Sequence, residues 1–305
     1  MTIRTFSTLT SEVRSYINHI KLPSSEIDRF LYYTYHYPQR LQNTSFITIG
    51  DPIQGVIATH PEELNHRSYQ RIRLLHGDTD QIRSDLVEAS LDQLQGTKHR
   101  GLFTTQIPRL NRVPDPAFIN NQFNIELRWR QSTPKQLKTT TQPDSQLQAV
   151  KYDRTAKHQL RRLFIQLLTE HDERINQLRN KCFGQDLLPT NLKRNKANQI
   201  KLSYFVDQVA TDNQWHAYLL FSNQRPIGII KAYVDRTHKT TSVDLHLQPG
   251  HQHHSTGAYH LLAKSLITAR VKVIQLGVYE SDIEQTKIAN KLFGNTVADQ
   301  YFHLI

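Results

Sequence analysis

The chain has a single cysteine, Cys182, in 305 residues. That excludes an internal disulfide framework and any zinc centre built on thiolates, and it fits a reducing compartment. No run of about 18 apolar residues is present to span a bilayer. The first residues, Met1-Thr2-Ile3-Arg4-Thr5-Phe6, lack the unbroken apolar core of a secretory signal. A cytoplasmic protein with no membrane partner is the expectation. Concentrated charge is also missing. The 38 Lys plus Arg against 27 Asp plus Glu leave a net charge of +11, enough to draw phosphorylated ligands, nucleic acid or acidic surfaces. Yet the basic residues form no tail or helical stripe, only short clusters such as Lys193-Arg194-Asn195-Lys196. This argues against nucleic acid as the principal partner.

What is present is organised in two halves. The length of 305 residues exceeds the usual single domain, and two domains of about 150 residues are expected. A polar stretch rich in turn-forming residues, Ser132-Thr133-Pro134 and Thr139-Thr140-Thr141-Gln142-Pro143-Asp144-Ser145, reads as a linker over 132–147 between domains 1–131 and 148–305. In the first half, Val13, Ile17 and Ile20, then Ile27, Phe30, Leu31 and Tyr32, are spaced for helices. A hairpin of Phe46 to Ile49 with Gly55 to Ala58 follows, then a strand from Tyr69 to Leu75, a helix from Asp80 to Leu94, a strand from Leu102 to Ile107, a short helix at Pro116 and a strand from Ile125 to Arg130.

The second half repeats the order. Leu160, Leu163, Phe164, Leu167 and Leu168 mark an amphipathic helix, with a polar helical stretch from Glu173 to Lys181 after it. His216 to Phe221 and Ile227 to Asp235 form a hairpin, and the turn Arg236 to Lys239 leads to a strand from Thr241 to Leu247. Elements mixed in this way predict an α/β class, an α+β mixed sheet in each of two domains.

The strand before residue 248 alternates: Val243, Leu245 and Leu247 share one face, Ser242, Asp244 and His246 the other. Gln248-Pro249-Gly250-His251-Gln252-His253-His254-Ser255-Thr256-Gly257-Ala258 follows, then a helix with Leu261, Leu262, Leu266 and Ala269. The first turn of a helix offers N–H groups without intrahelical partners and partial positive charge, and small residues at Ser255, Gly257 and Ala258 allow a phosphate to approach.

These residues resemble the acyl-CoA motif of the GCN5-related N-acetyltransferases, Gln or Arg, two residues, Gly, one residue, Gly or Ala, matched by Gln252, Ser255 and Gly257. Ser255 departs from the first Gly. Val273 to Tyr279 is similar to the family's fifth strand, and Ile288 to Gly294 to the helix after it, with Phe293-Gly294 in reversed order. Tyr301 to Ile305 would close the C-terminal domain. The resemblance implies two tandem acyl-CoA N-acyltransferase-like domains, the first a degenerate copy whose junction, His76-Gly77-Asp78-Thr79-Asp80-Gln81, carries two carboxylates that repel a phosphate.

It further implies that the C-terminal domain binds acetyl-CoA through Leu245, Leu247, Gln252, His253, His254, Ser255, Thr256, Gly257 and Ala258. The acetyl group would pass directly to the amine of a small molecule or peptide. The amine must lose a proton, and Asp244 and His246 are the candidate bases on the open strand face. The position aligned with the family's acid tyrosine holds Phe293, so Tyr301 or Tyr279 would replace it. The three imidazoles of His251, His253 and His254 suggest zinc, but ligands this close on one loop lack the distant partners of a structural site, and no metal is expected. A non-catalytic acyl-CoA sensor and a basic module for RNA or acidic protein are the rival readings.

Overall fold

A computed structural model describes residues 2–20, 43–64, 67–104, 107–109, 113–156, 158–192 and 196–305. The helix expected at Ile27 to Tyr32, and residues 193–195 of the basic cluster, lie outside the described residues. The chain forms two compact units, Met1–Glu126 with Ala298–Ile305, and Leu127–Val297.

Unit 1 contains β1 (Ile3–Phe6), α1 (Ser11–His19), β2 (Ser45–Ile49), β3 (Gly55–Leu64), β4 (Arg67–Gly77), α2 (Asp80–Asp92), β5 (His99–Thr104), β6 (Ile107–Pro108), α3 (Pro116–Ile119) and most of β13 (Thr296–Leu304). Its strands run in the order β1-β2-β3-β4-β5-β13, with β6 beside β13. Because successive strand residues face opposite ways, the sheet has two apolar faces. Ile47, Ile49 and Ile57 pack under Leu86 and Val87 of α2, while Phe46, Val56 and Ala58 pack against Val13 and Ile17 of α1. Both helices start at a threonine whose hydroxyl accepts a backbone N–H, Thr10 from Val13 and Thr79 from Ile82.

Unit 2 contains most of β7 (Asn124–Ser132), then α4 (Pro134–Thr140), β8 (Leu147–Lys151), α5 (His158–Phe183), α6 (Lys196–Thr211), β9 (Trp215–Ser222), β10 (Arg225–Asp235), β11 (Thr240–Leu247), α7 (Ser255–Thr268), β12 (Val273–Tyr279) and α8 (Ile283–Leu292). Its strand order is β7-β12-β11-β10-β9-β8. One face buries Ile230, Val243 and Leu245 against Tyr259, Leu262 and Leu266 of α7 and Leu292 of α8. The other buries Ala217, Leu219 and Ile229 against Phe164 and Leu167 of α5 and Val206 of α6. Each such aliphatic side chain contributes about 1.5–3 kcal/mol on burial.

The mixed α/β class stands. Three details differ from the sequence reading. The helix beginning near residue 158 does not stop at Thr169: α5 continues for 26 residues, because no Gly or Pro interrupts it, and so absorbs the polar stretch. The segment 132–147 is not free linker, since α4 lies within it and buries Leu137 in the core beneath α7. The last strand does not close the C-terminal half. Its residues Phe302, His303 and Leu304 pair with Phe103, Leu102 and Gly101 of β5, while β7 takes the equivalent edge of unit 2, antiparallel to β12 from Leu127↔Tyr279 to Ser132↔Ile274.

Candidate functional site

The hairpin of β10 and β11 and the length of α5 together build a polar cluster in unit 2. The register pairs Asp244 with Lys231 and His246 with Ile229. Val243, Leu245 and Leu247 enter the core as their alternation requires, leaving Asp244 and His246 on the α5 side. Lys231, 9% exposed, ion-pairs with the Asp244 carboxylate, whose side chain remains 52% exposed. From α5, the His171 ring lies 5.5 Å from that of His246. Glu170 accepts from Gln248 at 3.2 Å and from Gln166 at 3.1 Å, and Arg174 donates to Asp282 at 2.9 Å.

The environment separates these groups by charge state. Burial lowers His246 to about 4, with Arg174 adding to the effect and Glu170 opposing it. Burial likewise lowers His171 to about 3, helped by Lys231, His246 and Arg174. Both rings are therefore neutral at pH 7, and both His246 nitrogens are buried without a hydrogen-bond partner. Burial pushes Asp244 up, but the charge and hydrogen bond of Lys231 prevail and hold it below its usual range. Asp172 goes the other way: burial and the charge of Asp244 raise it to about 6, with Lys231 opposing. A carboxylate poised near neutrality beside an ionised one is the arrangement that acid–base chemistry needs.

Next to this cluster the sheet opens. β11 pairs in parallel with β12 only over Thr240, Thr241 and Ser242 with Val273, Ile274 and Gln275. From Val243 onward the edge of β11 facing β12 has no ladder partner there among the described residues. Unit 1 shows the same parting, with β4 and β5 paired from Ser68 to Ile72 only.

The turn after β11 has Gly250 at φ +86° and a single 3-10 turn, Gln252–His254, leading directly into α7. His253 is exposed, Gln252 and Thr256 are half-buried, and His254, Ser255, Gly257 and Ala258 are buried. The Ser255 hydroxyl donates to the Gln252 carbonyl at 2.6 Å. Gly257 is small for a reason the sequence reading did not supply. A Cβ there would stand 2.4 Å from Asp144 Cβ and 3.3 Å from Leu147 Cδ2, so its space is taken by residues 144–147. The Asp144 carboxylate bonds the His254 ring at 2.6 Å. Burial raises Asp144, but hydrogen bonds from His254, Gln146 and Leu147 with the charge of His254 prevail and lower it. It is an ionised carboxylate at the side of the first turn of α7.

Tyr301 is a correction. It belongs to unit 1, is fully buried, accepts from the Asp115 N–H at 2.8 Å and donates to Asp299 at 3.2 Å. Its hydroxyl is committed to the unit 1 core because β13 lies beside β5. Phe293 is buried edge-on against Tyr259, ring centroids 5.5 Å apart. The Tyr259 hydroxyl is itself buried without a partner, and burial with the charges of Asp244 and Asp282 raises its pKa. The carboxylates expected at the unit 1 junction flank Thr79, the N-cap of α2, where Asp78 meets the Tyr16 hydroxyl at 3.4 Å and Asp80 meets Arg83 at 3.6 Å. Among the described residues no group of three His, Cys, Asp or Glu could hold a metal ion, and no helix is long and apolar enough to cross a membrane.

The sequence reading missed Lys231, His171, Asp172, Asp144 and Tyr259. Lys231 had a signal: counting outward from the turn at 236–239 pairs Asp235 with Thr240 and therefore Lys231 with Asp244. The α5 residues had none, since nothing local says which strand that helix crosses.

No family model and no curated protein sequence matches the chain. Solved structures do. An acetyltransferase of the GNAT family from Colwellia psychrerythraea is similar over 100% of both chains at 9% identity, with a TM-score of 0.51. The GCN5-related glucosamine N-acetyltransferase region of a fungal multi-domain GH3 beta-N-acetylglucosaminidase is similar over 99% of this chain and 38% of that one, at 8% identity and a TM-score of 0.54. A tandem GNAT protein from the clavulanic acid biosynthesis pathway shares 11% identity over 86% of this chain and 82% of its own, at a TM-score of 0.49. At such identities the likeness is one of fold, and the fold is that of the GCN5-related N-acetyltransferases.

Proposed function

We propose that the chain is an N-acetyltransferase that moves an acetyl group from acetyl-CoA directly to an amine, with the chemistry confined to unit 2. The observation that supports this most is the parting of β11 from β12 after Ser242, immediately before a turn of small residues and a helix. Acetyl-CoA would be held by the free edge of β11 from Val243 to Leu247 and by the turn from Gln252 to Thr256, and it supplies an activated acyl group. The side chains of Leu245 and Leu247 stay in the core, so their contribution is through the backbone.

The amine must give up a proton before it attacks. Asp172, with its pKa raised to about 6, is the base closest to neutrality in the cluster, and Asp244, ionised beside Lys231, holds the ammonium form of the acceptor until transfer. His246 stays neutral and offers an acceptor nitrogen to the bound amine. Tyr259 keeps its proton at physiological pH and can donate a hydrogen bond toward the departing sulfur. Unit 1 is assigned no acyl donor because its matching junction carries two carboxylates, Asp78 and Asp80, where unit 2 has one, Asp144, paired with His254 at 2.6 Å.

Calorimetric titration with acetyl-CoA tests the reading: one molecule per chain is expected, and no binding at millimolar ligand would remove it. Asp172→Asn should then lower turnover about a hundredfold with acetyl-CoA binding unchanged. A non-catalytic acyl-CoA sensor is the second reading, favoured by Phe293 at the aligned tyrosine position, and stoichiometric binding without transfer to any amine would select it.

A further inference from the structure

We infer that unit 2 carries a phosphate-backbone docking groove for single-stranded nucleic acid at the end of β11 opposite the proposed acyl-transfer site. The groove has a volume of about 1270 Å³, large beside the roughly 300–1,000 Å³ of small-ligand pockets. Six cations line it, Lys151, Arg154, Arg236, Lys239, Lys264 and Arg270, against two carboxylates, Asp153 and Asp212. These come from separate places in the chain, the end of β8, the turn between β10 and β11, and the last turns of α7. Lys239 precedes β11 and the acyl-transfer site borders it from Val243 to Leu247, so the two lie about 13–26 Å apart along the strand at the usual rise.

The cations outnumber the carboxylates, and three of them are available. Lys239, Lys264 and Arg270 are exposed and make no side-chain hydrogen bond or ion pair among the described residues. Asp153 accepts from the Thr155 N–H and hydroxyl and lies 3.5 Å from the Lys151 ammonium, and Asp212 accepts from the Gln214 N–H, so the two carboxylates offset two of the six cations. The backbone gives a second, independent observation. Lys239 and Arg270 have φ of +55° and +57°, a conformation that favours glycine. At Arg270 it completes a helix C-terminus, with Arg270 N–H on Ile267 and Val271 N–H on Leu266, where glycine is the usual residue. The adjacent Lys239 carbonyl accepts from Lys272 N–H at 2.7 Å. Two long cations thus stand side by side where an uncharged small residue fits the backbone better.

The groove reads charge and not bases. Trp215 lines it, but its ring already packs edge-on with Phe205 at 5.3 Å and tilted against Tyr233 at 5.0 Å, which restricts base stacking there. Binding therefore follows the phosphates and is indifferent to sequence.

The test is fluorescence anisotropy of the full chain with a labelled single-stranded RNA of about 20 nucleotides, a length that covers more than one binding-site span, across a salt series. The triple variant Lys239→Gln, Lys264→Gln, Arg270→Gln should weaken binding about tenfold or more and reduce the salt slope by about 2, the change expected for three lost single-strand phosphate contacts. A charge-matched control, Lys135→Gln, Lys287→Gln, Lys291→Gln, changes exposed lysines elsewhere on the same unit and should leave both unchanged. Poly-U and poly-A should bind alike. Equal losses in the two triple variants, no binding at low salt, or inorganic tripolyphosphate binding as tightly as the RNA would each overturn the inference.

Discussion

Replacing His246 with leucine should make unit 2 more stable, by an amount that depends on pH. The His246 ring is 5% exposed and neither nitrogen has a partner, a deficit that costs about 1–3 kcal/mol. Leucine has similar volume and no polar atom, so the variant should gain about 1–2 kcal/mol at pH 8. Protonation adds to this in acid. The folded-state value is about 4 against 6.5 for the unfolded chain, so between those values the unfolded chain holds a proton that the folded one refuses. Wild-type stability therefore falls as pH drops from about 6.5 toward 4. At pH 5 the loss is on the order of 2 kcal/mol, and the leucine variant escapes it. The advantage of the variant should accordingly be about 3–4 kcal/mol at pH 5. Asp172 titrates in the same range, but it is common to both proteins and drops out of the difference. The assay is urea unfolding at pH 8 and pH 5 followed by tryptophan fluorescence. The two tryptophans, Trp129 and Trp215, both belong to unit 2, so the signal reports this unit alone. A leucine variant less stable than wild type, or an advantage that stays constant from pH 8 to pH 5, would refute the reasoning.

Three further outcomes are expected. Gly257→Ala should destabilise unit 2 by about 1–3 kcal/mol, because the new Cβ meets Asp144 Cβ at 2.4 Å, and Asp144→Gly in the same chain should recover most of the loss in the same unfolding assay. Lys231→Met removes the partner of Asp244; since Asp244 is half exposed, the cost at pH 7 should be only about 1–2 kcal/mol. Asp244 is held below its unfolded value of 3.8, so the stability it contributes is present above about pH 4 and lost below it, and the gap between variant and wild type should close at pH 3. Tyr301→Phe leaves the buried Asp115 N–H without its 2.8 Å acceptor and should lower the melting midpoint of unit 1 through a loss of about 1–3 kcal/mol, while any acetyl transfer stays within about twofold of wild type because Tyr301 makes no contribution to it.

Local structure was the most legible part of the sequence. Val243, Leu245 and Leu247 alternate with Asp244 and His246, and that alternation survives folding because one face of β11 must be buried. The hairpin at Phe46 and Val56 and the helix from Asp80 carry turn and cap residues that act within a few positions of themselves. Candidate site residues divided along the same line. Asp244 and His246 were visible on their own strand, whereas His171 and Asp172 reach them only because α5 runs on past Thr169 and crosses β11. α6 was missed although Leu202, Val206 and Val209 have helical spacing. The strand at Tyr301 was recognised as a strand and given the wrong neighbours, since an alternating pattern states that a strand pairs, not with which edge.

The periodicities and the small-residue turn before α7 were legible because each depends on residues close in the chain. Folding was needed to show that β7 and β13 lie in the opposite units from those their positions suggest, that Gly257 makes room for Asp144, and that cations as far apart as Lys151 and Arg270 line one groove. Those facts rest on pairings across more than a hundred residues. Backbone edges and charges are chemically interchangeable at that range, and only the packing of the whole unit selects among them.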